Sequence, residues 1–206
     1  GAAQFFGRAF DYGYSKSAEE AFTHWPREEL LRDVVWVIRN FRPQLILSVW
    51  SGTPRDGHGQ HQAAGILTNE AFDVAADPTR FTDVPGLGGR AWRVDKLFHT
   101  VRFGAMDETE RVSVGIYDPL LGRSYRQVAG DSRSQHRSQN MGSAQPLGPA
   151  DARVRSAKSH VGTEPGLFSG IDTTLVGLGG QLSGEGSEAV KIGRVRFAEE
   201  IGKAER

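Results

Sequence analysis

The chain has 206 residues, 25 Lys and Arg against 25 Asp and Glu, and no cysteine, so its net charge at neutral pH is zero. That length suits one sizeable domain, or one domain with an appended segment, without disulfide staples. The charge balance excludes a global field that would draw in nucleic acid or an anionic membrane, the missing cysteines exclude thiolate nucleophiles and Cys-ligated zinc, and no run approaches the roughly 20 apolar residues of a membrane helix.

A small neutral substrate is therefore expected, with His, Asp and Glu as the metal ligands on offer. Compartment and oligomeric state stay open. The start, Gly1-Ala2-Ala3-Gln4, has neither an initiator Met nor a signal pattern and reads as a cut end. Leu30, Leu31, Val34, Val35, Ile38 and Phe41 recur on one helical face, which predicts a helix over 26–41 with Pro26 in its first turn. Residues 44–50, Gln-Leu-Ile-Leu-Ser-Val-Trp, are short, β-rich and almost continuously apolar, as a buried parallel strand is.

A loop follows over 51–57, then a second helical pattern from 59 to 75. Pro and Gly predict a surface loop over 77–93, with strands at 96–101 and 111–117, a helix over 124–139 and a strand at 154–161. Residues 177–186 read as a Gly-rich linker, and 188–206 have helical periodicity. Helix followed by buried strand implies an α/β layered fold.

His58 and His61 fall where the first strand's carboxyl end meets the second helix, the edge where open α/β sheets form ligand crevices. Three residues apart on a first helical turn, their rings project from one side and can address one small site, with Asp56 within reach. Neutral imidazole and carboxylate are zinc ligands when no thiolate is present. Spacing alone leaves a plainer alternative, two polar residues at a loop–helix junction with His58 partly capping the helix. The run Gly184-Glu185-Gly186-Ser187-Glu188-Ala189 imitates a dinucleotide fingerprint, but no strand precedes it. Arg123, Arg126, Arg133 and Arg137 predict a solvated basic helical face.

Arg42-Pro43-Gln44-Leu45-Ile46-Leu47-Ser48-Val49 followed by His58-Gly59-Gln60-His61 resembles the "RPDVV… HPDHR" region of the PIG-L/LmbE-like N-acetylglucosaminyl deacetylases. Ser132-Arg133-Ser134-Gln135-His136-Arg137-Ser138-Gln139 is similar to the closing H-x-S-Q helix of that family. The resemblance covers about residues 4–139, in family order. It implies a Rossmann-like fold with a mostly parallel sheet flanked by helices, a deacetylase domain over 1–141, and an extension or linker over 142–206.

It also implies Zn2+ as cofactor and a small N-acetylated sugar as substrate, with His61 a zinc ligand and His58 steadying the acyl oxygen. Arg55, Asp56 and His136 become candidate substrate-binding residues. Gly59-Gln60 departs from the family's Pro-Asp. The family's A-H-P-D-D-E motif, which follows its first strand and supplies the remaining ligands and a general base, has no counterpart here. His24-Trp25-Pro26-Arg27-Glu28-Glu29 is better explained as the start of a helix. The expectation is an incomplete domain, missing its first strand and inactive alone. The alternative is a catalytically silent carbohydrate-binding or scaffold domain.

Overall fold

The computed structural model describes residues 3–85, 90–101, 109–139, 141 and 147–174. The chain divides into two compact units, residues 1–167 and 168–206. In the described part of the second, a turn closes from Ile171 N to Phe168 O at 3.0 Å. The linker and helix expected over 177–206 lie outside the described residues.

The first unit is mixed α/β. Helix α1 (Ala18–His24) is a short element the periodicity did not announce; Ser17 caps it by accepting from Glu20 N, and Glu19 and Glu20 complement its first turn. Helix α2 (Arg27–Phe41) begins one residue after Pro26, which precedes the first turn rather than lying in it, and ends at Arg42, whose N–H returns to Ile38 O. Its buried stripe, Leu30, Leu31, Val35 and Ile38, packs against Leu67, Ala71 and Phe72 of α3 (Gly59–Val74).

Four strands form one sheet in the order β1 (Leu45–Ser48), β2 (Lys96–Thr100), β6 (Asp151–Ser159), β3 (Glu110–Ser113). Strands β1 and β2 run parallel, whereas β6 is antiparallel to both β2 and β3, so the sheet is mixed. Residues 151–159, beyond the boundary drawn at 141, occupy the middle of it. Val94 and Leu97 close the core from the sheet side. The fully buried Arg39 donates to the carbonyls of Val74, Ala75, Asp77 and Phe81, and so fastens α2 to the end of α3.

Two expected elements are shorter than the sequence pattern suggested. The strand over 111–117 breaks after Ser113, because the chain turns at Gly115, where a Cβ would lie 2.4 Å from both Ala150 N and Gly148 O. Tyr117–Asp118 (β4) instead pairs with Arg123–Ser124 (β5) in a small hairpin. Helix α4 (Tyr125–Ser134) stops before 139; Ser134 Oγ turns back onto Asp131 O, a local bond that competes with further helix. No helix among the described residues is long and apolar enough to cross a membrane.

Candidate functional site

The loop joining β1 to α3 is held from within. Ser48, the last residue of β1, turns its hydroxyl onto Trp50 O at 2.6 Å. The Asp56 carboxylate accepts four donors from the same loop: Ser51 N and Ser51 Oγ at 3.1 Å each, Gly52 N at 2.6 Å and Thr53 N at 3.1 Å. Asn69 of α3 donates to Ser51 O at 3.0 Å. The loop crosses α3 so closely that a Cβ on Gly65 would lie 2.1 Å from Gly52 N, and Gly52 adopts φ +84°. The lack of a side chain at both glycines makes that crossing possible.

This loop delivers His58 and His61 to the amino end of α3. His58 occupies the N-cap position but makes no side-chain cap bond, so its imidazole is free of the capping role that spacing alone allowed. The two imidazoles stack, 4.8 Å between centroids and 3° from parallel. The far face of His61 lies on the Trp50 indole, at 3.7 Å and 10°. His61 Nδ1 donates to Asp56 O at 3.1 Å. A carbonyl oxygen only accepts, so this bond requires a proton on Nδ1 and leaves Nε2 as the nitrogen not engaged by Asp56.

The Gly59-Gln60 departure has a structural counterpart in the chain's amino-terminal segment. Gly59 N donates to Ser15 O at 2.9 Å, a bond that Pro could not make. Gln60 accepts from Ser15 Oγ at 2.7 Å and donates to Gly13 O. Gln62 continues the seam by accepting from Ala18 N and donating to Gly57 O. Between the anchored Gly13 and Ser15, Tyr14 sets its ring edge-on to His58, 4.9 Å between centroids, and stays largely exposed. The sequence reading did not bring Tyr14, Ser15 or Trp50 to this site, because their approach depends on long-range packing.

Arg55 and His136 are the remaining candidates. Arg55 is exposed on the 3-10 turn Pro54–Asp56. His136 is exposed just beyond α4, with hydrogen bonds from its own N to Arg133 O and from Met141 N to its O. No hydrogen bond or ring contact links it to His58 or His61 among the described residues. Of the basic face, Arg123 pairs with Asp131.

A third imidazole, which local pattern does not single out, stands on β2 beside the carboxyl end of β1. His99 on β2 stands opposite Ser48 of β1 and Arg155 of β6, buried, with no partner for its Nε2. Burial pushes its pKa below the ordinary value, Arg155 and Lys158 push it the same way, and Asp56 opposes them. Nothing in Lys96-Leu97-Phe98-His99-Thr100 distinguishes it from a surface His on an alternating strand.

Zinc takes three or more protein ligands. The described residues bring together two imidazoles, the neighbouring carboxylate of Asp56 is already taken up by its own loop, and no group of three His, Asp or Glu among them is placed to hold a metal ion. That donor set does not fit a zinc site.

No protein-family model matches the chain. A stretch of 75 residues, 36% of the chain, is 33% identical to a 1D-myo-inositol 2-acetamido-2-deoxy-alpha-D-glucopyranoside deacetylase of Thermobispora bispora. The match spans 22% of that protein's length, about a fifth. The chain thus shares a segment with a deacetylase whose name describes an acetamido sugar.

Proposed function

We propose that this chain carries part of a hydrolase site that removes the acetyl group from an N-acetylated amino sugar or a related small molecule. The observation that carries the reading is the stacking of His58 on His61 at the carboxyl end of β1, in the order the PIG-L/LmbE-like resemblance requires. The similarity to an acetamido-sugar deacetylase supports it. In this reaction water adds to the acetyl carbon, the carbon–nitrogen bond breaks, and the departing amine takes up a proton. Negative charge gathers on the acyl oxygen before the bond breaks, and the exposed His58 ring is the group we assign to meet it as a donor.

The finer family features belong to this proposal. They are a Rossmann-like parent fold with one more strand than is described here, and zinc in the complete domain with His61 as one of its ligands. Arg55, Asp56 and His136 are proposed for the substrate side, Asp56 through the loop it organises.

The short donor set favours one second reading, a domain that binds carbohydrate without turnover, with the exposed Tyr14 beside His58 as its aromatic contact. The test is acetate release from N-acetylglucosaminyl compounds, with and without added Zn2+, beside sugar binding followed by NMR. Acetate release that H58A and H61A abolish supports the hydrolase. Binding without release selects the second reading, and neither binding nor release overturns both.

A further inference from the structure

The geometry points to Trp50 as a positioning residue that holds the His61 ring on the Asp56 carbonyl and so keeps one ring nitrogen turned to the site. Two constraints meet on that ring. The Trp50 indole, stacked 3.7 Å away and nearly parallel to the imidazole, sets the plane in which that ring lies. Within that plane the Asp56 carbonyl, 3.1 Å from Nδ1, sets the rotation and takes the proton-bearing nitrogen. Either constraint alone leaves one freedom. A carbonyl without the indole lets the ring tilt off the hydrogen bond, and an indole without the carbonyl tolerates the flipped ring, which stacks equally well.

Trp50 is itself held by its own loop and by α3. Its backbone is held on both sides of the peptide by the Ser48 hydroxyl, which donates to Trp50 O and accepts from Trp50 N at 3.3 Å. The following residues are held by Asp56 and by Asn69 of α3. Ring plane and carbonyl thus hang from one loop fixed to β1 and to α3, and the two constraints on His61 cannot drift independently. The inference rests on His61 being a functional imidazole, but its test does not depend on turnover.

The experiment compares the chain with W50F, which keeps a flat face, and W50L, which keeps apolar bulk without one. The His61 tautomer is read from two-bond proton–nitrogen correlations of the ring. The unaltered chain and W50F are expected to hold His61 protonated on Nδ1. In W50L the Nε2-protonated form should appear. A W50L chain that folds and keeps the Nδ1 proton overturns the inference. Should W50L fail to fold, W50F decides: an altered tautomer there, with the flat face retained, overturns it as well. Failure of the deacetylase reading would show instead in the acetate assay, with the tautomer unchanged.

Discussion

Gly59 and Ser15 join the amino-terminal segment to the head of α3 through one backbone hydrogen bond of 2.9 Å, at a crossing where a Cβ on Gly59 would lie 2.0 Å from Ser17 O. The same contact holds Tyr14 over His58. The glycine is therefore required by space and by its N–H rather than by a special backbone angle. Gly59→Ala should destabilise the chain by about 1–3 kcal/mol, the usual cost of overpacking, and Gly59→Pro should cost more because it also removes the donor. Denaturant midpoints check the order. A G59A midpoint equal to that of the unaltered chain would mean the segment does not cross where the structure has it.

Asp56 organises its loop by accepting three backbone N–H groups and one hydroxyl. Charge-assisted bonds of this kind are each worth about 1.5–3 kcal/mol, less where water competes. Asp56→Ala should release the loop and speed amide exchange at Ser51, Gly52 and Thr53, while Asp56→Asn keeps one acceptor oxygen and should loosen it less. Residue-resolved hydrogen exchange distinguishes the two, and equal protection in D56A would remove the carboxylate from this role.

His99 predicts an acid sensitivity of defined sign. Its folded pKa lies below the ordinary value of about 6.5, because burial and the cations Arg155 and Lys158 of β6 outweigh Asp56 of the loop. The unfolded chain therefore binds a proton that the folded one refuses as pH falls through about 6.5. The stability contributed by neutral His99 is full above that value and is lost below it. His99→Leu should flatten this part of the curve, so the gap between the two proteins' urea midpoints should change between about pH 8 and pH 5. Parallel curves would show that His99 does not titrate against folding.

Arg39 offers a test of how α2 is fastened to the end of α3. Its planar guanidinium reaches four carbonyl oxygens at once, which a lysine's compact ammonium cannot match. Arg39→Lys should cost about 1–3 kcal/mol through carbonyls left without a donor, measured by thermal unfolding. An unchanged Tm would place the fastening elsewhere.

Local pattern was enough for α2 and α3, whose observed limits lie within one residue of the expected ones, because each carries an apolar period that only one backbone geometry can bury on a single face. The continuous apolar run of β1 gave the strand within two residues but not its burial, since β1 is an edge of the sheet and Leu47 and Val49 are exposed. The same reasoning set His58 and His61 at the junction of β1 and α3. Local pattern failed at α1, whose seven residues are too few for a period, and at the 111–117 strand, which the close packing of Gly115 against 148–150 cuts short.

By itself, then, the sequence determined the α/β class, the loop that carries the His pair and the side of the helix from which both rings project, all consequences of interactions between near neighbours. Only the tertiary structure decided that β6 enters the middle of the sheet antiparallel to β2, that residues 13–18 strap down the head of α3, and that Trp50 and the Asp56 carbonyl fix the ring of His61. The strap and the sheet order bring together groups many residues apart in the chain. The Trp50 and Asp56 contacts arise because the loop doubles back on α3. Neither kind of contact leaves a periodic trace, and each forms because the core seats its elements at distances where stacking and hydrogen bonding become available.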